Sequence, residues 1–273
     1  MSDIPFERWY QAIGRRRSRR RFDGRPLPEE EEKRLAALCS DFRPFPDARA
    51  VFVNRSADLV LKGVVGTYGK VKGARAFLAV VGNMESTYAQ ERAGYTGEGV
   101  VLEAVAMGLD TCWVAGLFHQ DVAARLVDIH EREQVLAVVP IGHAPHDWSL
   151  EERLMTGFGR THKRKAPAML LRDGEVEQLT PWVEAAIEAA RLAPSAVNRQ
   201  PWRFRASDEG LTISVDDTKL LHTISKRLDC GIAMLHIEVA AFHAGVRGQW
   251  DFHNNPDVAT FKKIQPIIQS ITS

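Results

Sequence analysis

The stretch from Arg15 to Phe22 reads R-R-R-S-R-R-R-F and contains six arginines around a single serine. Each guanidinium stays charged at ordinary pH and presents a planar fork of N–H donors, a geometry that suits a phosphate. Three interpretations fit this run when it is taken alone: a solvated basic arm, a nucleic-acid or localisation patch, or a small-molecule phosphate site at the edge of a folded domain. The sequence outside the run distinguishes among them.

The charge of the whole chain argues against nucleic-acid binding. The 273 residues include 36 lysines and arginines and 35 aspartates and glutamates, which gives a net charge of +1. A domain that binds nucleic acid is usually basic overall or along a whole face, whereas Glu29 to Glu32 follow this run closely. We therefore expect no nucleic-acid partner. An apolar content of 45% is enough for a large core, in one domain or in two compact halves.

Cysteine and histidine positions favour neither a disulfide framework nor a metal site. Cys39, Cys112 and Cys230 lie far apart, and an odd count without a C-x-x-C pair fits a reducing compartment. Buried thiols are the simplest interpretation of all three. His143 and His146 are close neighbours, but a metal site needs three or four ligands and no third one is near in sequence. We expect no metal.

Targeting and membrane signals are not evident in the sequence. The opening residues, M-S-D-I-P-F-E-R-W-Y, lack the apolar core of a secretory signal. No apolar run approaches the roughly 20 residues that a membrane span requires. We expect a soluble, cytoplasmic protein with no membrane partner.

Hydrophobic periodicity, prolines and glycines predict helices and strands in both halves of the chain. Predicted helices cover Ile4–Arg17, Pro28–Cys39, Ala57–Val65, Gly94–Met107, Asp121–Asp128, Pro181–Leu192 and Cys230–Ala244. Predicted strands cover Ala50–Val53, Ala76–Val81, Thr111–Val114, Val135–Ile141, and a hairpin of Trp202–Arg205 with Leu211–Val215. The segment from Gln249 to Ser273 stays unassigned, apart from a turn at Asn254 to Pro256.

Two glycine-rich stretches fall short of nucleotide-binding fingerprints. Gly63 to Lys70 lacks the final serine or threonine of a phosphate loop, because Val71 follows the lysine. Gly97 and Gly99 are followed by Leu102 where the dinucleotide fingerprint has a third glycine. Neither stretch predicts a nucleotide site.

The two halves of the chain repeat the same order of signals. Gly94 to Trp113 and Gly231 to Trp250 have equal length, and both end in Gly-(Leu or Val)-x-x-x-Trp. In each half a helix that begins at a proline leads through a loop to a strand. We interpret this as two related half-domains, residues 1–166 and 167–273. Only the second half has the loop Ala193 to Phe204, which reads A-P-S-A-V-N-R-Q-P-W-R-F.

Four stretches together resemble the FMN-dependent nitroreductase family. They are the arginine run with the following F-D-G-x-P-L, the loop Ala193 to Phe204, the segment Gly108 to Gly116, and the basic stretch Arg160 to Lys165. In ordinary members the N-x-Q-P-W loop comes soon after the first helices, where this chain has Asp41 to Arg49. Those members are homodimers with flavins at the interface. Here the loop lies in the second half, so the chain resembles the TM nitroreductase-like branch in which one chain imitates the dimer.

The resemblance implies an α+β, nitroreductase-like fold with two related half-domains, each with a central sheet flanked by helices. It implies a monomer that mimics a dimer and binds one FMN at the seam between the halves. A second flavin is not expected at the other pseudo-site. There Met169 to Val176 has one arginine and no serine, and Gln249 to His253 lacks the glycine needed for close backbone approach.

The resemblance also implies which residues hold the phosphate of the flavin. The charged forks and one hydroxyl would come from Arg16, Arg17, Ser18 and Arg20. Lys163 and Lys165 would add charge to the same phosphate. Trp202, in the same loop region, is expected to pack in the core rather than to contact the cofactor.

Contacts to the rest of the flavin are implied from both halves. The second half would contribute Pro194, Ser195 and Asn198 against the isoalloxazine or the ribityl chain. In the first half, the backbone N–H groups of Ala115 and Gly116 would face the reactive nitrogen of the ring. Lys70 would reach the pyrimidine end, with a surface lysine as an equally plausible interpretation.

The function that follows from the resemblance is a flavin oxidoreductase. NAD(P)H would reduce FMN and leave, and a small-molecule acceptor such as a nitroaromatic or a quinone would then be reduced, a ping-pong sequence in which the cofactor carries the chemistry. No catalytic acid or base is assigned. Three alternatives stay open: the same fold with another redox task such as dehalogenation or flavin breakdown, a flavin sensor or store, and a nucleic-acid binder without cofactor.

Overall fold

The computed structural model of the chain describes residues 4–61, 71–145, 163–172, 179–217 and 224–264. The elements of its first half are α1 (Phe6–Arg15), α2 (Glu29–Asp41), β1 (Ala48–Val53), β2 (Ala76–Asn83), α3 (Ala89–Ala106), β3 (Asp110–Thr111), α4 (Gln120–Leu126) and β4 (Glu133–Gly142). Those of the second half are α5 (Pro181–Leu192), β5 (Trp202–Ser207), β6 (Gly210–Val215), α6 (Lys226–His243), β7 (Gly248–Phe252) and β8 (Asp257–Lys263). The predicted hairpin after α5 is confirmed, and so in outline are the strands and helices of the first half other than Ala57–Val65 and Thr111–Val114.

Each half builds one four-stranded sheet, and the two sheets have the same strand order. The first runs β1-β2-β4-β3 and the second runs β5-β6-β8-β7. Every neighbouring pair is antiparallel. The repeated order confirms the prediction of an α+β fold made of two related halves.

The long helices α3 and α6 cross at a contact with two-fold character. Both helices have 18 residues, and the sixth residue of each is a glycine, Gly94 in α3 and Gly231 in α6. A Cβ atom on Gly94 would collide with the backbone oxygen of Leu228, and one on Gly231 would collide with that of Glu91. Leu228 and Glu91 are the third residues of their helices, so the contact is reciprocal, as in an isologous dimer interface. Glycine is required on both sides because the backbones touch.

The predicted starts of these two helices are wrong. The sequence predicts Gly94 and Cys230 as starts, whereas α3 begins at Ala89 and α6 at Lys226. The glycines mark a crossing inside each helix rather than a helix end. The start of α6 is set by Ser225, whose hydroxyl accepts a hydrogen bond from a backbone N–H of the first turn.

Three further segments differ from their predictions. The unassigned segment after residue 249 contributes β7 and β8. Val258 to Phe261 are all buried in β8, so the strand carries no alternation of apolar and polar side chains from which to predict it. The predicted strand Thr111–Val114 is shorter, since β3 ends at Thr111 and Val114 pairs with Val138 only in an isolated bridge. The predicted helix Ala57–Val65 is a 3-10 turn at Ala57–Leu59, and its later part lies outside the described residues.

The largest buried apolar cluster continues across the seam between the halves. Its members include Trp9 of α1, Leu102 of α3, Ile187 of α5, Trp202 of β5 and Leu235 of α6. The two halves therefore share one hydrophobic core and do not meet at a hydrated interface. Within the described ranges, no helix is long and apolar enough to cross a membrane.

Candidate functional site

A cavity of about 550 Å³ lies at the seam between the two halves. Its first-half wall comes from the arginine run and from the segment that follows β3. Its second-half wall comes from the loop after α5 and from the first two turns of α6. The volume lies within the range of about 300–1,000 Å³ that is typical of cofactor and ligand sites.

The structure brings most of the predicted site residues together in the wall of this cavity. Those that line it are Arg16, Arg17, Ser18, Arg20, Ala115, Pro194, Ser195 and Asn198. Gly116 adjoins the lining with a φ of 91°, a left-handed conformation that favours glycine. Lys163 and Lys165 are not among the lining residues, and Lys70 lies outside the described part of the chain.

The arginine run leaves α1 as an extended segment beside the first sheet. Ser18 pairs with Thr111 in an isolated parallel bridge, which fixes the register of the run against β3. Arg16 is only 4% exposed, and its Nη2 donates to the backbone oxygen of Leu192 at 3.3 Å. The buried Nε of Arg16 has no hydrogen-bond partner among the described residues. Arg19 is also buried, but its Nη2 donates to the backbone of Pro145 and it is not part of the lining.

Arg164 is a cavity residue that the sequence interpretation missed. Its Nη2 donates to the Leu192 oxygen at 3.0 Å, the same acceptor that Arg16 uses, and its Nη1 donates to Asn198 Oδ1 at 2.9 Å. Burial, together with the guanidinium groups of Arg16, Arg191 and Arg17, lowers the pKa of Arg164 to about 10. The signal was present in the basic stretch R-T-H-K-R-K, where a planar guanidinium binds a phosphate with better geometry than a lysine does.

The loop after α5 is held in an unusual backbone conformation. Val197, Asn198 and Gln200 have φ values of 50°, 53° and 48°, and such residues outside glycine are uncommon and strained. Asn198 Nδ2 and Gln200 Nε2 both donate to the backbone oxygen of Lys163, at 3.0 and 3.1 Å. The backbone N–H of Lys165 donates to Gln200 Oε1 at 2.8 Å. Lys163 contacts the loop through its backbone oxygen, and Lys165 does so both through its backbone N–H and through its Nζ, which donates to the Gln200 backbone oxygen at 2.9 Å. These contacts with the loop account for the place of both lysines outside the lining.

Asp229 fastens this loop to α6. Its Oδ1 accepts from the backbone N–H of Ala196 at 3.1 Å, and its Oδ2 pairs with Arg199 Nε at 2.8 Å. Asp229 is among the residues that line the cavity and is 3% exposed. Burial raises the pKa of Asp229 to about 6, and the Arg199 guanidinium and the Ala196 N–H oppose that rise.

Behind the cavity wall lies a pair of fully buried ionisable groups, Glu98 of α3 and His236 of α6. His236 Nε2 is 2.9 Å from Glu98 Oε1, and the lining residue Trp113 donates its Nε1–H to Glu98 Oε2 at 2.7 Å. Arg16 Nε lies 4.0 Å from Glu98 Oε1. The pair therefore contacts two lining residues. No motif in the sequence indicated it, because Glu98 and His236 are 138 positions apart.

The predicted buried thiols are confirmed, since Cys39, Cys112 and Cys230 are all free and buried. His143 Nε2 lies 3.8 Å from a Glu31 carboxylate oxygen, and His146 lies outside the described residues. In the part of the chain that the structure describes, no group of three or more typical metal ligands comes together.

Comparison with known proteins identifies the class and then the family. A crystal structure of a "putative nitroreductase" from Thermotoga maritima MSB8 matches 93% of this chain and 93% of its own length, with a TM-score of 0.61 and 21% identity. The fold is therefore nitroreductase-like, with both halves in one chain. The family model described as "Putative TM nitroreductase" matches residues 8–241, and the chain belongs to this family.

A curated relative adds a more local match. The "Putative NAD(P)H nitroreductase acg" of Mycobacterium tuberculosis H37Rv is 30% identical over 80 residues. The match covers 28% of this chain and 24% of the relative. The chain thus aligns with about a quarter of the length of that relative.

Proposed function

We propose that the chain is an FMN-dependent oxidoreductase that takes reducing equivalents from NAD(P)H and passes them to a small electron-poor acceptor, a nitroaromatic or a quinone. Membership of the nitroreductase family supports the oxidoreductase class. The donor and acceptor would occupy the same cavity in turn, as ping-pong kinetics require. When bound, FMN supplies the hydride chemistry, and the protein supplies binding, orientation and exclusion of water.

The observation that carries this proposal is the positive charge gathered at the cavity. Arg16 and Arg164 share the Leu192 oxygen as an acceptor, so their two guanidinium groups lie close together. Like charges repel, and an anion between them removes the repulsion. Among the described lining residues, the one carboxylate is Asp229, and it is already paired with Arg199. The phosphate of FMN fits this cluster because it accepts paired N–H donors.

The remainder of the lining fits a flat ring system. Apolar side chains on both walls come from Val71, Val114, Leu117, Pro194, Val197, Ile224, Leu228 and Ile232. Ala115 and Gly116 would present backbone N–H groups to the reactive edge of the ring, where a larger side chain would obstruct close approach. Pro194, Ser195 and Asn198 would contact the ring or the ribityl chain from the second half. Lys70, outside the described residues, stays a proposed contact to the pyrimidine end.

We also propose that one chain suffices for one flavin. Both halves contribute to the cavity wall, so the second half does what a partner subunit does in a dimeric site. Residues 1–166 would carry the phosphate side, and residues 167–273 would carry the N-x-Q-P-W loop. The chain would then act as a monomer that mimics a dimer.

Titration of apoprotein with FMN, followed by anaerobic stopped-flow mixing with NADH and with NADPH, tests the proposal. We expect one FMN per chain in a monomer by light scattering, bleaching of the flavin band by one nucleotide, and recovery of the band on addition of a quinone or nitroaromatic. Flavin binding without bleaching would indicate a sensor or store. Absence of flavin binding, or two flavins per chain, would contradict the proposal.

A further inference from the structure

The Glu98–His236 pair has a hydrogen-bonding pattern that fixes its proton count. His236 Nδ1 is 2.9 Å from the backbone oxygen of Ala189, which can only accept, so Nδ1 carries a proton. His236 Nε2 is 2.9 Å from Glu98 Oε1, and this contact also needs a proton between the two atoms. A neutral imidazole facing an ionised carboxylate would set two lone pairs against each other. The pair therefore holds one proton more than a neutral histidine and an ionised carboxylate hold together.

This extra proton changes the charge that Arg16 meets. With it, the pair is neutral overall, either as imidazolium and carboxylate or as imidazole and carboxylic acid. Without it, the pair carries one negative charge 4.0 Å from Arg16 Nε. All three side chains are 0–4% exposed, so solvent does little to screen their interaction.

Arg16 is only partly compensated inside the protein. Burial lowers its pKa, and Glu98 opposes that effect, while the neighbouring Arg17 adds to it. Its Nε has no hydrogen-bond partner among the described residues. A guanidinium in this state has charge and donor capacity available to a ligand in the cavity that it lines.

We propose that Glu98 and His236 are positioning residues that share one proton, so that the pair as a whole does not offset the charge of Arg16 and the positive potential of the guanidinium is available to the phosphate of the ligand. The proposal rests on the proposed flavin function and adds a charge-setting pair behind the site. Neither residue lines the cavity, so each acts through Arg16 and Trp113 rather than by contact with the ligand.

The test is a double-mutant cycle that separates charge from structure. His236→Gln keeps a hydrogen-bond donor toward Glu98 but removes the proton, so Glu98 becomes a full counter-charge to Arg16. We expect the FMN dissociation constant to rise about tenfold or more, while the dissociation constant of riboflavin, which lacks the phosphate, stays unchanged. Glu98→Gln leaves the pair neutral and accepts from Trp113, so FMN affinity should stay close to wild type. The variant with both substitutions is neutral again and should recover most of the lost FMN affinity.

The matched control is His243→Gln, on the same helix. His243 is 40% exposed and lies beside Glu7, outside the cavity lining. This variant should leave both flavin affinities unchanged. Circular dichroism and thermal unfolding of each variant show whether it is folded. If His236→Gln does not fold, Glu98→Gln alone is decisive. If Glu98 instead anchored Arg16 by charge attraction, Glu98→Gln would lose FMN affinity.

The outcomes that overturn this inference differ from those that overturn the flavin function. If His236→Gln binds FMN as wild type does, or if the double variant stays as weak as His236→Gln, the pair does not set the charge of the site. If the wild-type chain binds FMN no better than riboflavin, the phosphate site itself is misassigned and the proposed function fails first.

Discussion

The two halves place different side chains at equivalent positions beside the crossing of α3 and α6. The fourth residue of each helix is charged: Arg92 in α3 and Asp229 in α6. Asp229 pairs with Arg199 in the loop before β5, whereas Arg92 pairs at 2.7 Å with Asp47 in the loop before β1. Each ion pair fastens a loop to a long helix, with the two charges exchanged.

The space beside Arg92 is filled, whereas the space beside Asp229 is open. The Arg92 guanidinium lies 5.3, 5.4 and 4.6 Å from the ring centroids of Phe45, Tyr88 and Phe252. Phe252 follows the repeated tryptophan of its half by two residues, as Ala115 does in the first half. A phenyl ring thus stands in the second half where the first half has a methyl group on the cavity wall. The same backbone arrangement therefore occurs once in each half. Side chains fill the space beside Arg92 and leave the cavity beside Asp229 open.

The largest expected effect on the open cavity comes from the double substitution of Arg16 and Arg164 by alanine. Each charge-assisted bond is worth roughly 1.5–3 kcal/mol, so the FMN affinity should fall at least about a hundredfold. Fluorescence titration of apoprotein with FMN measures it. Arg92→Ala, at the equivalent place in the filled half, is the matched control and should not change FMN affinity. A double variant that is purified with a full complement of flavin would remove the phosphate assignment.

Substitutions of Trp202 and Asn198 test whether one loop region separates residues that stabilise the core from residues that contact the flavin. Trp202 is 0% exposed and belongs to the shared core, so Trp202→Ala should lower the free energy of unfolding by about 3–5 kcal/mol. Asn198→Ala removes one partner of Arg164 at the cavity and should change the flavin spectrum or its reduction rate, with a smaller loss of stability. Urea unfolding and stopped-flow absorbance measure the two effects. The opposite pattern would mean that the two roles are exchanged.

Arg92→Leu tests the filled half directly. The substitution removes the ion pair to Asp47 and the contacts with three aromatic rings, which together should lower the free energy of unfolding by about 2–3 kcal/mol. The open cavity does not depend on Arg92, so FMN affinity should stay the same. Arg92→Lys keeps the charge but loses the planar contact with the rings, and should be intermediate in urea unfolding. A loss of FMN affinity in either variant would show that the two places are coupled.

The sequence predicted features that are contiguous along the chain and missed those that depend on contacts between distant residues. The arginine run and the loop Ala193 to Phe204 were each recognisable as a stretch, and the structure places both in one cavity wall. The half-domain repeat was visible because Gly94 and Gly231 stand at equal distances from their tryptophans. Their role in the helix crossing was not, because it depends on a backbone contact across the seam.

The buried groups behind the wall could not be predicted for the same reason. Glu98 and His236 look like ordinary polar positions in two helices until the helices are packed together. Arg164 belongs to a basic stretch that the sequence analysis recognised. Which side chain of that stretch faces the cavity depends on the hydrogen bonds between the loop and the backbones of Lys163 and Lys165. The sequence favours an arginine as the phosphate ligand on chemical grounds, but it does not show which side chain of the stretch faces the cavity or that Glu98 meets His236.

The smallest expected effect concerns Asp229 and its dependence on pH. Its pKa in the folded chain is raised to about 6, against 3.8 for an ordinary aspartate. Between about pH 4 and pH 6 the folded chain therefore keeps a proton that the unfolded chain has released, so the free energy of unfolding falls as pH rises through this window and changes no further above it. Asp229→Asn lacks this titration. Urea unfolding from pH 4 to pH 7.5 should show the stability of the variant relative to wild type rising by on the order of 2 kcal/mol across the window.

Subtracting the free energy of unfolding of wild type from that of Asp229→Asn at each pH cancels the contributions of the other titrating groups. One of these is Glu238, because burial raises its pKa as well. Asp121→Asn, on the exposed helix α4, is the control and should show no rise between pH 4 and pH 6, because the pKa of Asp121 is lowered rather than raised. If Asp229→Asn instead loses stability relative to wild type as pH rises, the ion pair with Arg199 outweighs burial. Asp229 would then contribute stability above its pKa.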